Sequence, residues 1–327
     1  MKEIVVKKTS EISEAEWEQI TAGFNEEFKK EKKPAELIRY YKANACGYSY
    51  HGMAKDENGD IAGFSSIMPF VYRDTDGNEF LTGLSGSTFV KKEFRNDIFV
   101  FNDIYKDLRK ACVTDGITAI LGVPNKNSFK YLIKLLRFSF LYNLPYYALP
   151  VKVSAVLSRK LPGIINTVYF VFAWLYVKLV QLVSLVYNPV EIKSAYTISF
   201  SPEAYGQRFN ESYTTVSHHQ YSFTYRIYNE RNMNIAYLFH FTQKGERTLR
   251  SLVKAVNHII SREKIDLIIF VGRLELPQPL LLKLPESKQP QPLPLTVDVL
   301  LPETDARYAK MKEGKNWNFG LMNFDVR

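Results

Sequence analysis

Few side chains in this sequence can move a proton or attack a carbonyl, and each has a limited choice of roles. His51 stands alone in a stretch, Gly47 to Ala54, that alternates like a strand. An imidazole there could act as a general base near neutral pH, or simply fill a strand face. His218 and His219 are adjacent, so on an extended chain they point to opposite faces and cannot join one site. The run Gly83-Leu84-Ser85-Gly86-Ser87 approaches the Gly-x-Ser-x-Gly elbow of serine hydrolases but has serine where the second glycine belongs. Its setting is a strand, which excludes that chemistry. Cys46 and Cys112 are the two cysteines and lie far apart, so neither a disulfide framework nor a Cys-x-x-Cys metal site is implied. No His-Glu-x-x-His motif or carboxylate cluster is present, and no metal is expected.

The elements that must position such chemistry are clearest between residues 79 and 140. Phe80 to Val90 is rich in Thr, Ser, Phe and Val and predicts a strand. Lys91 to Asp97 is a polar, charged loop. Ile98, Phe101, Ile104, Tyr105, Leu108 and Cys112 then recur at helical spacing. Ile117 to Val123 is a short apolar run ended by Pro124, the pattern of a buried strand. A second helix begins near Asn125, with Tyr131, Leu132, Leu135 and Leu136 on its apolar side. Asp97 and Asn125 both stand where a helix N-cap is needed.

This order, with Asn125, Ser128, Tyr131 and Phe138 at their spacing, resembles the acyl-CoA-binding half of the GNAT acyltransferase superfamily. In that family a strand ending in Val is followed by an Arg-Gly-x-Gly loop at a helix N-terminus. A later strand leads into Asn-x-x-Ala/Ser-x-x-Tyr and then a Phe. The loop here is Arg95-Asn96-Asp97-Ile98, with side chains at both glycine positions. Glycine lets loop N–H groups close on a pyrophosphate at a helix N-terminus. Ile98 does not adopt such dihedrals, and Asp97 brings a carboxylate to where phosphates would lie. The resemblance implies acetyl-CoA or another acyl-CoA as donor. Its binding would fall to backbone groups of Phe89 and Val90, to Arg95 and Asn96, and to Asn125 and Ser128. It further implies Tyr131 as the acid that protonates the CoA thiolate, and it sets His51 on the strand that faces the acceptor, as the candidate base. Packing remains open for Tyr131, and capping for Asn125.

The remaining chain supports a second domain. At 327 residues it exceeds a typical single domain. Ser13 with Glu16 forms a capping box ahead of the stripe Trp17, Ile20, Phe24 and Phe28. A second short helix covers Ala35 to Lys42. Turns at 56–59 and 74–77 connect three strands, so the GNAT order covers residues 1–150. Pro162-Gly163 and Asn188-Pro189 bracket about 24 residues with one charge, Lys178. As a helix this is about 36 Å long and enough to cross a bilayer. Asn166, Thr167, Lys178, Gln181, Ser184 and Asn188 fall within about 120° of its circumference. A narrow polar stripe suits burial between domains, a homodimer, or contact with a membrane surface through 164–186. Spanning would divide the two halves between compartments.

Past Pro189 the order repeats: strands at Tyr221–Tyr228 and Asn234–Phe241, an amphipathic helix over Gly245–Lys264, and a strand at Ile265–Val271. This resembles the tandem-GNAT layout, although neither motif recurs. Leu276 to Leu295 contains six prolines and predicts an extended, exposed segment. Trp317 to Val326 would be a last strand, with Trp317 and Phe319 in the core. The expected fold class is thus α/β (α+β): two GNAT-like domains with mixed central sheets, joined by a long apolar helix. Their spans are 1–150, 151–190 for the linker helix, and 191–327 for a degenerate second domain.

The formal charge of +9 invites an anionic partner. The dense cluster Lys29, Lys30, Lys32 and Lys33, however, ends a helix, where cations suit the dipole, and no nucleic acid is expected. MKEIVVKKTS has no long apolar core, so it is not a signal peptide. A cytoplasmic location follows, peripheral to the inner face of the membrane if the apolar helix touches lipid. The resemblance implies an acyl-CoA-dependent N- or O-acyltransferase, acetyltransferase-like. Its acceptor would be a small molecule or glycan, such as a sugar or bacterial cell-envelope precursor. The alternative is a GNAT-like scaffold that has lost catalysis and serves as an interaction or membrane-surface protein. Transfer from aminoacyl-tRNA ranks below both, since no basic groove is legible.

Overall fold

The computed structural model describes residues 3–95, 99–153, 163–243 and 248–324. Strand β1 (Glu3–Lys8) leads to helix α1 (Glu14–Phe28). That helix starts where its capping box directs: Ser13 Oγ accepts from the Glu16 N–H, and the Glu16 carboxylate accepts from the Ser13 N–H at 2.9 Å. Helix α2 (Pro34–Lys42) begins on Pro34, whose missing N–H costs nothing at that position. Three antiparallel strands follow, β2 (Tyr50–Lys55), β3 (Ile61–Arg73) and β4 (Glu79–Val90). Their turns are fixed by Asp56, whose Oδ1 accepts from the Asn58 and Asp60 N–H groups, and by Asp74, which does the same for Asp76 and Asn78.

Helix α3 (Phe99–Thr114) crosses back over these strands and returns the chain to β5 (Ile117–Gly122), which pairs parallel to β4. Ile104 and Leu108 of α3 are buried over Gly52 and Gly63. A Cβ at Gly52 would lie 2.7 Å from Ile104 Cγ2, so the missing side chain is what lets the helix approach. Next come α4 (Lys126–Lys134), β6 (Ser139–Asn143), β7 (Tyr146–Pro150), the long α5 (Gly163–Val186), β8 (Tyr196–Ser199) and α6 (Pro202–Arg208). The second half continues with β9 (Thr214–Ser217), β10 (Tyr221–Glu230), β11 (Met233–Gln243), α7 (Thr248–Arg262), β12 (Leu267–Val271) and β13 (Leu282–Lys283). Strand β14 (Pro294–Val299), α8 (Ala306–Met311) and the two-residue β15 (Trp317–Asn318) complete it.

Two compact units result, and they are not the two halves of the sequence. One comprises Met1–Asn143, Ala195–Arg208 and Pro292–Trp317; the other comprises Leu144–Ser194, Phe209–Gln291 and Asn318–Arg327. The divisions at 150 and 190 expected from sequence therefore differ from those drawn by the contacts. The sheets show why. The first runs β1-β2-β3-β4-β5-β14-β6, and the second runs β13-β7-β12-β11-β10-β9. In each, an antiparallel meander leads through a helix to a parallel strand (β4–α3–β5, β11–α7–β12). The strand beside that parallel strand is borrowed from the other half of the chain: β14 lies on β5, and β7 lies on β12.

Asp298 helps hold β14 in the first unit. It accepts from Tyr105 Oη at 2.9 Å and Arg109 Nε at 2.8 Å, both on α3. The proline-rich segment is exposed over much of 277–292, as expected, but it is anchored on either side of that stretch. Leu280, Leu281, Leu293 and Leu295 are buried, and Pro294 opens a strand of the sheet. Prolines break its hydrogen-bonding pattern, but the leucines between them still bury their side chains. The last strand is shorter than expected, although Trp317 and Phe319 are core residues. Helix α5 belongs to the second unit, where Val177 and Val180 enter the same apolar core as Leu249, Leu252 and Val256 of α7.

Candidate active site

Among the described residues, the sheet of the first unit opens between β4 and β5. β4 and β5 pair from Leu81 with Ile117 to Ser85 with Gly122. Beyond Gly122 the chain turns away through Pro124, but β4 continues to Val90 along β3. Gly86 to Val90 therefore has β3 on one side and, among the described residues, no strand on the other. Backbone groups facing that side are available to an extended ligand, as at any sheet edge.

The same stretch is bulged. Between the pairs Phe64–Phe89 and Ser66–Gly86, β4 uses one residue more than β3. Ser87 takes up the difference with φ of 49°, in the left-handed region. Two hydroxyl contacts brace it: Ser66 Oγ donates to the Gly86 carbonyl at 2.8 Å, and the Ser65 and Thr88 hydroxyls share a hydrogen bond of 2.8 Å. A bulge re-aims the backbone locally. A non-glycine residue held at positive φ is the kind of strained feature that collects at functional sites.

The residues expected from sequence occupy distinct settings in this unit. Phe89 turns its ring into the unit, stacked on Phe64 at 5.5 Å and filling the space above Gly23. Only its backbone is left for a ligand, and Val90 likewise contributes through its main chain. Arg95 is already engaged. Its Nε donates to the Val90 carbonyl at 2.8 Å, and its guanidinium pairs with Glu27. Asn96, with Asp97 and Ile98, lies outside the described residues. Asn125 is the N-cap of α4: its Oδ1 accepts from the Asn127 and Ser128 N–H groups, both at 2.9 Å, and from Ser128 Oγ at 3.1 Å. Tyr131, on α4, is half exposed, whereas the neighbouring Leu132 is buried. Lys126 and Lys130 are exposed on the same helix.

His51 does not occupy a base's position. It is fully buried on β2, enclosed by Trp17, Tyr41 and Phe64 with ring centroids 4.7–5.7 Å away. Its Nε2 shares a hydrogen bond of 2.9 Å with Thr9 Oγ1, and burial pushes its pKa down to about 3. A ring so placed is neutral packing and meets no acceptor.

One residue near the opening escaped sequence reasoning. The Tyr41 hydroxyl is buried close to Ser66 and Ser87, and burial raises its pKa. It has no hydrogen-bond partner among the described residues. Tyr41 lies on a short helix where an aromatic is read as packing, so no sequence signal marks it. A second cleft, about 460 Å³ and lined by Lys8, Tyr50, Lys110 and Asp115, lies elsewhere on this unit. Its Asp115 is neutralised by Lys8 at 2.7 Å.

No protein-family model and no curated protein sequence matches the chain. Solved structures do. A GCN5-related N-acetyltransferase from Anabaena variabilis ATCC 29413 aligns with TM-score 0.57 and 11% identity, covering 91% of this chain and 73% of that one. Eis1 from Mycobacterium abscessus aligns with TM-score 0.56 and 10% identity over 96% of this chain and 76% of its own. A probable N-acyltransferase from Enterococcus faecalis V583 gives 0.56 and 11%, over 91% and 72%. These identities carry fold and not activity. With a meander, a parallel β4–β5 pair that opens at its end and a bulge beside the opening, the chain has the fold of the GNAT acyltransferases.

Proposed function

We propose that the first unit is an acyltransferase that takes its acyl group from a CoA thioester and passes it to an amine or hydroxyl. The observation that carries this reading is the opening between β4 and β5 past Ser85 and Gly122. The pantetheine arm of CoA is an extended chain with two amides, and it can add to the free side of Gly86–Val90 as a strand would. Its thioester carbonyl then lies against backbone N–H groups of Phe89 or Val90. Such donors stabilise the oxyanion that forms when the acceptor attacks. The new bond joins acceptor nitrogen or oxygen to the acyl carbon, the carbon–sulfur bond breaks, and the departing thiolate takes a proton from Tyr131. The acceptor's proton passes to solvent, which in turn reprotonates Tyr131, since His51 is sealed in the core.

Phosphate binding would rest on different groups from the glycine loop of the family. Lys126 and Lys130 are exposed on α4. Arg95 would join them by exchanging Glu27 for phosphate, one charge-assisted pair for another. Among acceptors, sugars and cell-envelope precursors with a free amine or hydroxyl are the class to screen first.

Calorimetric titration with acetyl-CoA and longer acyl-CoAs tests the reading. Binding by wild type with retained affinity in Tyr131→Phe, together with a kcat at least tenfold lower in that variant once an acceptor is found, is the expected result. Failure of every acyl-CoA to bind at saturating concentration would remove the proposal.

A further inference from the structure

Helix α5 is apolar on its exposed face as well as its buried one, which is unusual for a helix of a soluble protein. Its buried residues are Ala173, Val177, Val180 and Ser184. The polar Asn166, Lys178 and Gln181 are only partly exposed. The solvent face is apolar: Phe172, Leu175, Leu179 and Leu182 are 49–65% exposed, and the surface continues to Val186 at 90% and Val190 at 85%. A surface helix normally buries its apolar stripe and shows its polar one. The bare apolar area here is on the order of 1,000 Å², against roughly 300–600 Å² for the largest patch of a typical monomer.

Charge indicates what covers it. Residues 144–190, the stretch of the second unit that includes α5, contain four Lys or Arg and no Asp or Glu. Helix α7, which packs with α5, adds Arg250, Lys254 and Arg262 and has no acidic residue. A cleft of about 310 Å³ beside Gln181 is lined by His218, Lys254, His258 and Arg262. A second copy of the chain placed on this face would bring cations against cations, with no carboxylate on either helix to meet them. An anionic bilayer complements both features, the acyl region taking the apolar face and the headgroups taking the cations. Aromatic residues fit that boundary as well: the Lys178 ammonium lies 5.6 Å over the Trp174 ring, and the Tyr176 hydroxyl donates to the Pro279 carbonyl.

The helix is 24 residues long with mean hydropathy 1.8 over its most apolar window, enough to cross a bilayer by length and composition. Its Val177–Val180 stripe, however, is built into the core of the second unit, which leaves it lying along a surface. We propose that α5 docks the second unit on an anionic lipid bilayer, in the plane of the interface, with its apolar face at the acyl boundary. This is independent of the transferase reading.

Tryptophan emission tests it on the intact chain. Trp17 and Trp317 are buried, at 3% and 0%, whereas Trp174 is 42% exposed, so Trp174 alone reports on the face. Vesicles of phosphatidylcholine with phosphatidylglycerol should shift the emission to the blue and carry the protein upward in a flotation gradient. Vesicles of phosphatidylcholine alone should bind at least roughly tenfold more weakly. Leu175→Asn combined with Leu179→Asn replaces exposed side chains, so it should keep the circular dichroism and melting behaviour of wild type while losing flotation. Three results would each overturn the proposal: no response to either vesicle, equal flotation of wild type and the double variant, or a dimer by light scattering whose Trp174 is already blue-shifted and unresponsive to lipid.

Discussion

The clearest test of how this molecule uses its titratable groups is His51→Gln. In the fold His51 is neutral, with its pKa pushed down to about 3 by burial, whereas an unfolded histidine titrates near 6.5. The folded value lies below the unfolded one. The stability tied to this residue is therefore fully present above about pH 6.5 and is lost as pH falls through the window from 6.5 toward 3. At about pH 5 the unfolded chain has gained a proton that the fold refuses. At ~1.4 kcal/mol per pH unit this gives ~2 kcal/mol lost between neutral pH and pH 5. Glutamine can still hydrogen-bond Thr9, is close in size and does not titrate. Its cost of roughly 1–2 kcal/mol in lost ring packing is the same at both pH values. His240, pushed down to about 4 by its own burial, loses stability in both proteins and cancels in the comparison. Urea denaturation at pH 7 and pH 5 should thus show wild type falling by ~2 kcal/mol more than His51→Gln. Equal pH dependence would mean that His51 gains its proton inside the fold. It would then reach water, and the packing assignment would fail, reopening its candidacy as a base.

Two further perturbations probe what positions the opening. Glu16 is desolvated by burial, but hydrogen bonds from Lys7 and Lys55 and the Ser13 N–H overcome this and hold it at about 2 rather than 4.5. Its contribution, ~2 kcal/mol after allowance for partial solvent access, is present above pH 4.5 and lost as pH falls from 4.5 to 2. Glu16→Gln should therefore be less stable than wild type at pH 7 and nearly equal to it near pH 2.5, by thermal melts at each pH. Asp298→Ala leaves the Tyr105 hydroxyl and the Arg109 guanidinium without their shared acceptor on β14. A loss of roughly 2–4 kcal/mol is expected, with hydrogen exchange accelerated in β14 and in the facing edge of β5. Unchanged exchange there would show that β14 is held by its backbone ladder alone.

Much of the first unit is legible in the sequence because its signals are local. Ser13 with Glu16, the Asp56 and Asp74 turns, the α3 stripe and the Asn125 cap each depend on residues a few positions apart, and each forms as its spacing directs. What was not legible depends on distant partners. YYALP and PLTVDV are short apolar strands without a clean alternation, and nothing in either says which sheet it will join. Prolines in 276–295 signal the irregular, largely exposed backbone correctly, but not that Leu280 and Leu295 bury their side chains among them. His51 was placed on the right strand, and the alternation of that strand cannot tell an aromatic cage from an acceptor pocket. The bulge at Ser87 leaves no mark at all, because serine rather than glycine occupies the positive-φ position.

Both proposals set anions against basic side chains, Lys126 and Lys130 on α4 in one and those of α7 beside α5 in the other, and salt separates them. On α4 the ligand would be a set of phosphates against exposed lysines, an interaction of charge with little apolar surface. Between low salt and about 0.5 M, screening shortens the reach of such charges to a few ångströms, and acyl-CoA affinity should fall steadily. On α5 charge only selects the bilayer, and the holding force is the apolar face, which screening does not weaken. Binding to anionic vesicles should therefore drop at first and then level off at the residual affinity that neutral vesicles also show. If vesicle binding instead falls to nothing with salt, the exposed leucines of α5 contribute no insertion, and the helix face must be covered by something other than lipid.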